Sequence, residues 1–381
     1  MSLYLSRQAA LKWLETPSVY QIAQDELYEL DQESFRFLTA CGESSGCSSK
    51  DTAFVDYCLD EGLLTRERAA VRRPQLGPSP HPSLRYLELQ LTDRCNLRCK
   101  HCYIGDGPGR ELSIVQVRSA LREFEEMQGL RVLLTGGEPL LHSRFDEINE
   151  MLPDFFLRRV LFTNGMLLNR ENLRRLKVHE IQVSIDGMQR AHEKLRGAGT
   201  WGTALTALRS AMDAGFSASV STMVTSWNLH DFDAMEELFR SLGVKEWTVD
   251  VPCRSGRSRD HEEIAVGPEA GGRFLGYGYG GGMHATGPGY GCGLHLMAVL
   301  PDGNAAKCTF YGDRPVGSVT EGLRACWERV RPVPLADLDC ACEFLEICRG
   351  GCRYRAELLG NPSGRDLYRC SLYGVMHHPG Q

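Results

Sequence analysis

The sequence lacks the features that mark a secreted or membrane-bound chain. Its start, MSLYLSRQAALKWLETPS, has no long apolar core of a signal peptide. No run approaches the roughly 20 apolar residues that cross a bilayer. These absences predict a cytoplasmic protein without a membrane partner.

Cysteine, in contrast, is abundant, with fifteen residues in 381. Cytoplasmic thiols stay reduced, so we expect these cysteines to bind metal rather than to form disulfides. Hydrophobic residues make up 42% of the chain and charged residues 24%, which is ordinary for a globular protein. The length allows two or three domains with a substantial core.

The net charge of −6 is concentrated at one end of the chain. Residues 1–70 hold six Lys or Arg and twelve Asp or Glu. A nucleic-acid surface needs basic side chains to meet phosphates, so the charge argues against such a surface there. We expect no nucleic-acid partner.

Three domains are predicted, and the first is residues 1–80. It contains two short strands within 18–31, a helix in QESFRFLTACG with Gly42 as its C-cap, and a second helix from Asp51 to Gly62. This order suits a winged-helix-like module, and a proline-rich linker follows at 72–83.

Residues 81–260 alternate strands and helices, which predicts an α/β fold with parallel strands, as an open sheet or a barrel. Chemistry in such folds belongs at the carboxyl ends of the strands, where TGGEP, TNG and SIDG fall. A helix is expected at 114–128. The predicted strands are 85–92, 130–136, 159–165, 181–187, 217–225 and 246–251.

Residues 261–381 form the third predicted domain, which is rich in glycine and cysteine. The stretch 271–293 is nearly half glycine. We interpret it as a mobile flap or a connector.

The motif CNLRCKHCY places Cys95, Cys99 and Cys102 directly after the first strand of the second domain. Structural zinc sites usually take two close pairs of ligands, whereas three local cysteines suit a cubane cluster with one open iron. The CX3CX2C spacing, followed in order by GGEP and SIDG, resembles the radical S-adenosylmethionine (SAM) superfamily. The resemblance implies a partial (β/α)6 barrel like part of a TIM barrel.

In this family the three cysteines would ligate a [4Fe–4S] cluster whose open iron binds SAM. Reductive cleavage of SAM then gives a 5′-deoxyadenosyl radical that abstracts hydrogen from the substrate. The residues that the resemblance assigns to SAM are Gly136 and Gly137 at its methionine end, Glu138 at its amino group, Arg196 at its carboxylate, Ser184, and His101 near adenine.

Three of the residues in these motifs keep a second interpretation. His101 could be a solvated loop histidine, and Asn164 could be a turn residue of Asn-Gly. Asp186 is interpreted as structural rather than catalytic. No residue is identified as a general acid or base.

The C-terminal cysteines resemble the SPASM extension of radical SAM enzymes, and the resemblance implies two auxiliary [4Fe–4S] clusters. The resemblance assigns Cys340, Cys342, Cys348 and Cys370 to an outer cluster, and Cys292, Cys308 and Cys352 to an inner one. Asp339 stands where the family pattern has a cysteine. The inner cluster then either keeps an open iron or gains Cys253 as fourth ligand, and a structural zinc site is the alternative.

The first domain resembles the peptide-recognition element of maturases that act on ribosomally made peptides. Such an element captures a leader peptide as an added strand. The sequence therefore predicts a radical SAM peptide maturase that forms a thioether or carbon–carbon cross-link and takes electrons from a flavodoxin or ferredoxin. A formylglycine-forming sulfatase maturase and a cluster-bearing redox-sensing regulator are the alternatives.

Overall fold

A computed structural model gives the fold and describes residues 2–68, 71, 73–284, 289–292 and 294–375. Parts of the predicted linker, glycine-rich stretch and C-terminal domain, at residues 72, 285–288, 293 and 376–381, lie outside the described residues. The strands are β1 (Tyr4–Leu5), β2 (Ala9–Trp13), β3 (Pro17–Gln21), β4 (Glu26–Glu29), β5 (Leu64–Thr65), β6 (Tyr86–Gln90), β7 (Arg131–Thr135), β8 (Arg158–Thr163), β9 (Glu180–Ser184), β10 (Ser217–Met223), β11 (Glu246–Asp250), β12 (Leu296–Val299), β13 (Asn304–Ala306) and β14 (Gly317–Ser318).

Helices follow most of the barrel strands and cover the sheet. No described helix is both long and apolar enough to cross a membrane. The helices are α1 (Gln32–Cys41), α2 (Thr52–Asp60), α3 (Ile114–Glu126), α4 (Phe145–Met151), α5 (Arg170–Arg175), α6 (Gln189–Arg196), α7 (Thr200–Asp213), α8 (Phe232–Leu242), α9 (Pro268–Phe274), α10 (Leu323–Arg329), α11 (Leu345–Cys348), α12 (Arg353–Leu358) and α13 (Leu367–Leu372).

Six parallel strands, β6 to β11, form the core of the molecule in chain order. Each predicted strand of residues 81–260 is present, and its observed start and end lie within two and three residues of the predicted ones. The mixed α/β fold with a parallel sheet is confirmed. Strands such as β7, RVLLT, are buried along almost their whole length because helices cover a parallel sheet. Helix α3 begins at a capping box in which Ser113 and Gln116 exchange hydrogen bonds.

The N-terminal residues form a separate small core. Strands β2, β3 and β4 make an antiparallel sheet, and α1 and α2 pack beside it. The two strands predicted within 18–31 and both helices are confirmed, with Asp51 as the N-cap of α2. The short pair β1–β5 and strand β2 were missed.

This N-terminal sheet packs against the amino-terminal ends of the barrel strands, which we call the floor of the barrel. Ala10, Tyr20 and Ile22 share an apolar cluster with Leu130, which precedes β7. The buried Lys12 donates from Nζ to the carbonyl of residue 129 at 2.6 Å. Because the motifs lie at the carboxyl ends of the strands, the N-terminal sheet contacts the opposite end of the barrel.

The glycine-rich stretch is a connector across the same floor. The backbones of Tyr279 and Trp247 hydrogen bond at the edge of β11. Further along, Arg131 at the start of β7 donates from Nη2 to the carbonyl of Gly282 at 2.6 Å. The backbone N–H of His284 donates to the hydroxyl of Tyr86, at the start of β6. Residues 279–284 therefore pass beneath the barrel, away from the motifs, and a flap over them is wrong for these residues.

The sheet continues past the sixth strand of the barrel. Strand β12 pairs parallel to β6, with Met297 opposite Leu87, and β13 and β14 follow antiparallel. These three strands were not predicted. They join the predicted third domain to the barrel through one continuous sheet.

Candidate active site

The three cysteines of CNLRCKHCY lie in the loop after β6, at the carboxyl ends of the parallel strands. All three line a cavity of about 320 Å³. Cys99 is buried, Cys102 half-buried and Cys95 exposed. Burial raises the pKa of the Cys99 thiol although Arg196 opposes this effect, so cluster binding there would release a proton. The donors fit three positions of an iron–sulfur cluster.

The TGGEP turn after β7 holds the start of this cysteine loop. The N–H of Gly137 donates to the carbonyl of Thr92 at 2.8 Å, and that of Glu138 donates to the carbonyl of Arg94 at 2.8 Å. A Cβ on Gly137 would lie 2.4 Å from the carbonyl oxygen of Arg94, and one on Gly136, where φ is +149°, would lie 2.4 Å from that of Thr92. Glycine is required at these two positions because the TGGEP turn and the cysteine loop lie too close together for a side chain. Both glycines also line the cavity, and their contact with SAM stays a prediction.

Contact with the amino group of SAM stays a prediction for Glu138. This residue is fully buried and is not among the described residues that line the cavity. Its carboxylate accepts hydrogen bonds from Thr163 Oγ1 at 2.9 and 3.0 Å and from the N–H of Asn164 at 2.9 Å. Burial raises the pKa of Glu138 to about 7 against these hydrogen bonds. The carboxylate thus fastens the turn after β8 instead of facing the cavity.

Asp186 organises the opposite wall of the cavity. Its fully buried carboxylate accepts from Arg196 Nε at 2.5 Å and lies 3.1 Å from His101 Nε2. Burial alone would raise the pKa of Asp186, but Arg196 and His101 hold it well below its usual range. Arg196 Nη1 lies 3.8 Å from Cys99 Sγ. One edge of the guanidinium is therefore committed to Asp186, and the other faces the cysteine loop.

His101 is buried, so a solvated loop histidine is wrong. Its Nδ1 is buried without a hydrogen-bond partner among the described residues. Ser184 lines the cavity and accepts a long hydrogen bond from Ser221 at 3.4 Å. Asn164 also lines it and donates from Nδ2 to Asn96 Oδ1 at 2.8 Å, inside the cysteine loop. The contacts of His101 with adenine and of Ser184 with SAM stay predictions.

The inner set of cysteines converges on Cys352. Its thiol lies close enough to those of Cys253 and Cys292 that this proximity lowers the pKa of Cys352 and raises the pKa of the other two. Cys308 is close enough to interact electrostatically with Cys292 and Cys352. The structure thus brings four cysteines together, and Cys253 also lines the main cavity.

The outer set also comes together. Cys340, Cys342, Cys348 and Cys370 line one small cavity with Arg365 and Arg369. Asp339 does not join them in that lining, because its carboxylate accepts from Asn361 Nδ2 at 2.8 Å. Across the described part of the chain, no three His, Cys, Asp or Glu are arranged to hold a single metal ion.

Cysteines outside these sets are packing residues. Cys41, Cys58 and Cys326 are buried at 1% exposure or less, as expected of cysteines that pack as small apolar side chains. Glu88, in contrast, was missed although it lines the main cavity. The signal in the sequence was a single acidic residue within the buried strand YLELQ.

Comparison with known proteins assigns the central part of the chain. Residues 89–239 match the radical SAM superfamily, so the chain contains a radical SAM domain. Enzymes of this superfamily use a [4Fe–4S] cluster with SAM.

Curated relatives match over about half of their length. The chain is 29% identical to the AdoMet-dependent heme synthase of Nitratidesulfovibrio vulgaris over 186 residues, covering 46% of this chain and 50% of that protein. It is 27% identical to the antilisterial bacteriocin subtilosin biosynthesis protein AlbA of Bacillus subtilis over 209 residues, covering 53% and 47%.

A solved structure resembles nearly the whole chain. Streptococcus suis SuiB bound to its precursor peptide SuiA superposes with a TM-score of 0.71 at 13% identity, covering 96% of this chain and all of SuiB. At this identity the likeness establishes the fold.

Proposed function

We propose that the chain is a radical SAM peptide maturase, which cleaves SAM reductively and forms an oxidative cross-link in a ribosomally made peptide. The observation that carries this proposal is the shared cavity. The three motif cysteines and Cys253 of the inner set line the same space of about 320 Å³. A substrate there would meet both a radical source and a second redox centre.

Three iron–sulfur clusters are proposed, each with its own cysteines. Cys95, Cys99 and Cys102 would hold the cluster that binds SAM, and Arg196 and Ser184 would face SAM. Cys340, Cys342, Cys348 and Cys370 would hold the outer cluster. The inner cluster would be held by Cys253, Cys292, Cys308 and Cys352, because Cys253 lies close enough to Cys352 for the two thiols to interact.

The assignment of Cys253 can be tested by metal content. Cys253→Ala should lower the iron and sulfide of the anaerobically purified protein and change the electron paramagnetic resonance of one reduced cluster. Cys326→Ala, a buried cysteine outside all three sets, should leave both unchanged. Equal spectra for Cys253→Ala and the wild type would instead favour an open iron.

The N-terminal sheet supports a peptide substrate. Strand β4 pairs with β3 and is the edge of its three-stranded sheet. Leu30 donates its N–H to the carbonyl of Pro17, so Glu29, one residue earlier, directs its N–H away from β3. A leader peptide would add to β4 as a fourth strand. The acidic charge of this segment favours a peptide over DNA, which weighs against a DNA-reading regulator.

The proposal is tested with the short peptide encoded beside the gene. Anaerobic co-expression followed by mass spectrometry should show loss of two hydrogens that depends on Cys95. A cysteine newly resistant to alkylation would identify a thioether, whereas unchanged thiols would identify a carbon–carbon link.

Other outcomes would overturn the proposal. An unmodified peptide together with oxidation of a sulfatase Cys or Ser would establish the sulfatase maturase. If the protein instead converted an iron porphyrin, its activity would resemble the one stated in the name of the heme synthase relative. Zinc in place of iron in the purified protein would exclude all radical SAM functions.

A further inference from the structure

Glu88 is an acidic side chain in the reaction cavity to which the proposed chemistry has assigned no role. It lies in the middle of β6, is half-buried, and lines the cavity with the motif cysteines. Its Oε2 accepts a long hydrogen bond of 3.4 Å from the backbone N–H of Thr309. The barrel strand therefore presents a carboxylate between the cysteine loop and the segment that begins at Thr309.

The other carboxylates that line the cavity are neutralised by cations. Asp186 pairs with Arg196 at 2.5 Å, and Asp250 pairs with Arg355 at 2.5 Å. Glu88 forms no ion pair among the described residues. It is thus the carboxylate of this cavity that can take up a proton without breaking an ion pair.

We propose that Glu88 accepts the proton that the substrate loses during cross-link formation, an inference that rests on the proposed function. A substrate C–H bond first gives its hydrogen atom to the 5′-deoxyadenosyl radical. The resulting carbon radical bonds to the partner sulfur or carbon. The cysteines of the inner set would hold an oxidised iron–sulfur cluster that could take up the one electron released, while the carboxylate of Glu88 takes the proton from the partner's S–H or C–H bond and later releases it to water.

The surroundings of Glu88 suit this role. Tyr103 faces the carboxylate, and its hydroxyl is held by Gln90 Nε2 at 3.2 Å. Burial raises the pKa of Glu88 to about 7, while hydrogen bonds from Thr309 oppose the increase. A base is most effective when its pKa lies near the working pH.

The test separates hydrogen abstraction from proton transfer in the intact enzyme. With a perdeuterated precursor peptide, Glu88→Gln should still cleave SAM and transfer deuterium into 5′-deoxyadenosine. Cross-linked peptide should fall about 100-fold or more, the usual contribution of a general base. Glu88→Asp, which keeps a carboxylate, should restore part of the product.

Infrared spectroscopy measures the protonation state of the Glu88 carboxyl group without requiring turnover. The difference spectrum of wild-type minus Glu88→Gln holoenzyme at neutral pH should contain a carboxylate band, the form of Glu88 that can accept a proton. Equal iron content and circular dichroism of the two proteins would show that the variant folds.

Each contrary result has one meaning. Equal cross-linking by wild type and Glu88→Gln would overturn the role of Glu88. A parallel loss of deuterium transfer and of cross-linked product in Glu88→Gln would also overturn it, because it would show that Glu88 positions the substrate. Absence of a carboxylate band would overturn it as well, because a protonated Glu88 has no site to accept a proton. Failure of the wild type to modify the peptide would instead overturn the proposed function.

Discussion

At the scale of single residues, the cavity depends on buried groups that hold other groups in place. Asp186 fixes Arg196 and His101, and Glu138 fixes the turn after β8. The cysteines could be predicted from the sequence because their spacing is local. The partners of Asp186 and Glu138 could not, because these contacts cross between loops.

Loss of the Asp186 carboxylate should destabilise the fold strongly. Asp186→Asn leaves the guanidinium of Arg196 buried without its counter-charge, which costs about 3–5 kcal/mol. Thermal unfolding measures this cost. Asp146→Asn removes an exposed pair with Arg175 and should cost at most about 1 kcal/mol. Similar losses in both variants would contradict the buried pair.

A methyl group at Gly137 should disturb the cysteine loop. Its Cβ would lie 2.4 Å from the backbone oxygen of Arg94, so Gly137→Ala must displace that loop. We expect a lower iron content and loss of SAM cleavage, measured after anaerobic reconstitution. Gly202→Ala in α7, where no atom lies within 4 Å, should keep both and add up to about 1 kcal/mol of stability. Normal iron in Gly137→Ala would refute the argument.

At the scale of elements, the strands that were predicted are those with local apolar patterns and glycine turns. Strand β7, RVLLT followed by GGEP, is one example. Strand β12 was missed because it pairs with β6, some 210 residues earlier, and no local signal specifies that partner. The path of the glycine-rich connector was missed for the same reason, since Arg131 and Tyr86 define it.

The free edge of β4 gives a prediction for leader binding. Glu29→Pro removes an N–H that points away from β3, so it should spare the sheet and abolish strand addition. Glu29→Ala keeps the N–H and serves as the matched control. Fluorescence anisotropy of a labelled leader peptide should show at least a tenfold weaker affinity for the proline variant alone. Equal affinities would place the leader elsewhere.

At the scale of the whole molecule, the N-terminal module is fixed to the floor of the barrel by buried polar contacts. Glu15 pairs with Arg85 at 2.6 Å, and Lys12 donates to the carbonyl of residue 129. Burial lowers the pKa of Lys12 to about 8. Because the unfolded chain keeps the ordinary value of about 10.5, the charged form of Lys12 is the one that folding disfavours.

Stability should therefore depend on pH through Lys12. Between about pH 8 and 10.5 the unfolded chain binds more protons at this lysine, so its contribution to the free energy of unfolding rises with pH, by an amount on the order of 3 kcal/mol. Lys12→Met removes the titrating amine and with it this pH-dependent contribution to the free energy of unfolding. The dependence of the free energy of unfolding on pH over that range should be steeper for the wild type than for the variant, and equal slopes would exclude a lowered pKa of Lys12.

If a precursor peptide adds to β4, as the proposed function requires, the length of the barrel strands sets the shortest distance between its leader and its modified residues. Asp25, directly before β4, pairs with Arg131 at the floor, while the cavity lies at the far ends of strands of five to seven residues. Such strands are about 17–23 Å long. A leader bound along β4 therefore needs a spacer of at least about six extended residues before the first residue that can be modified. Shortening that spacer should abolish modification of the residue nearest the leader and shift modification to positions further along the peptide.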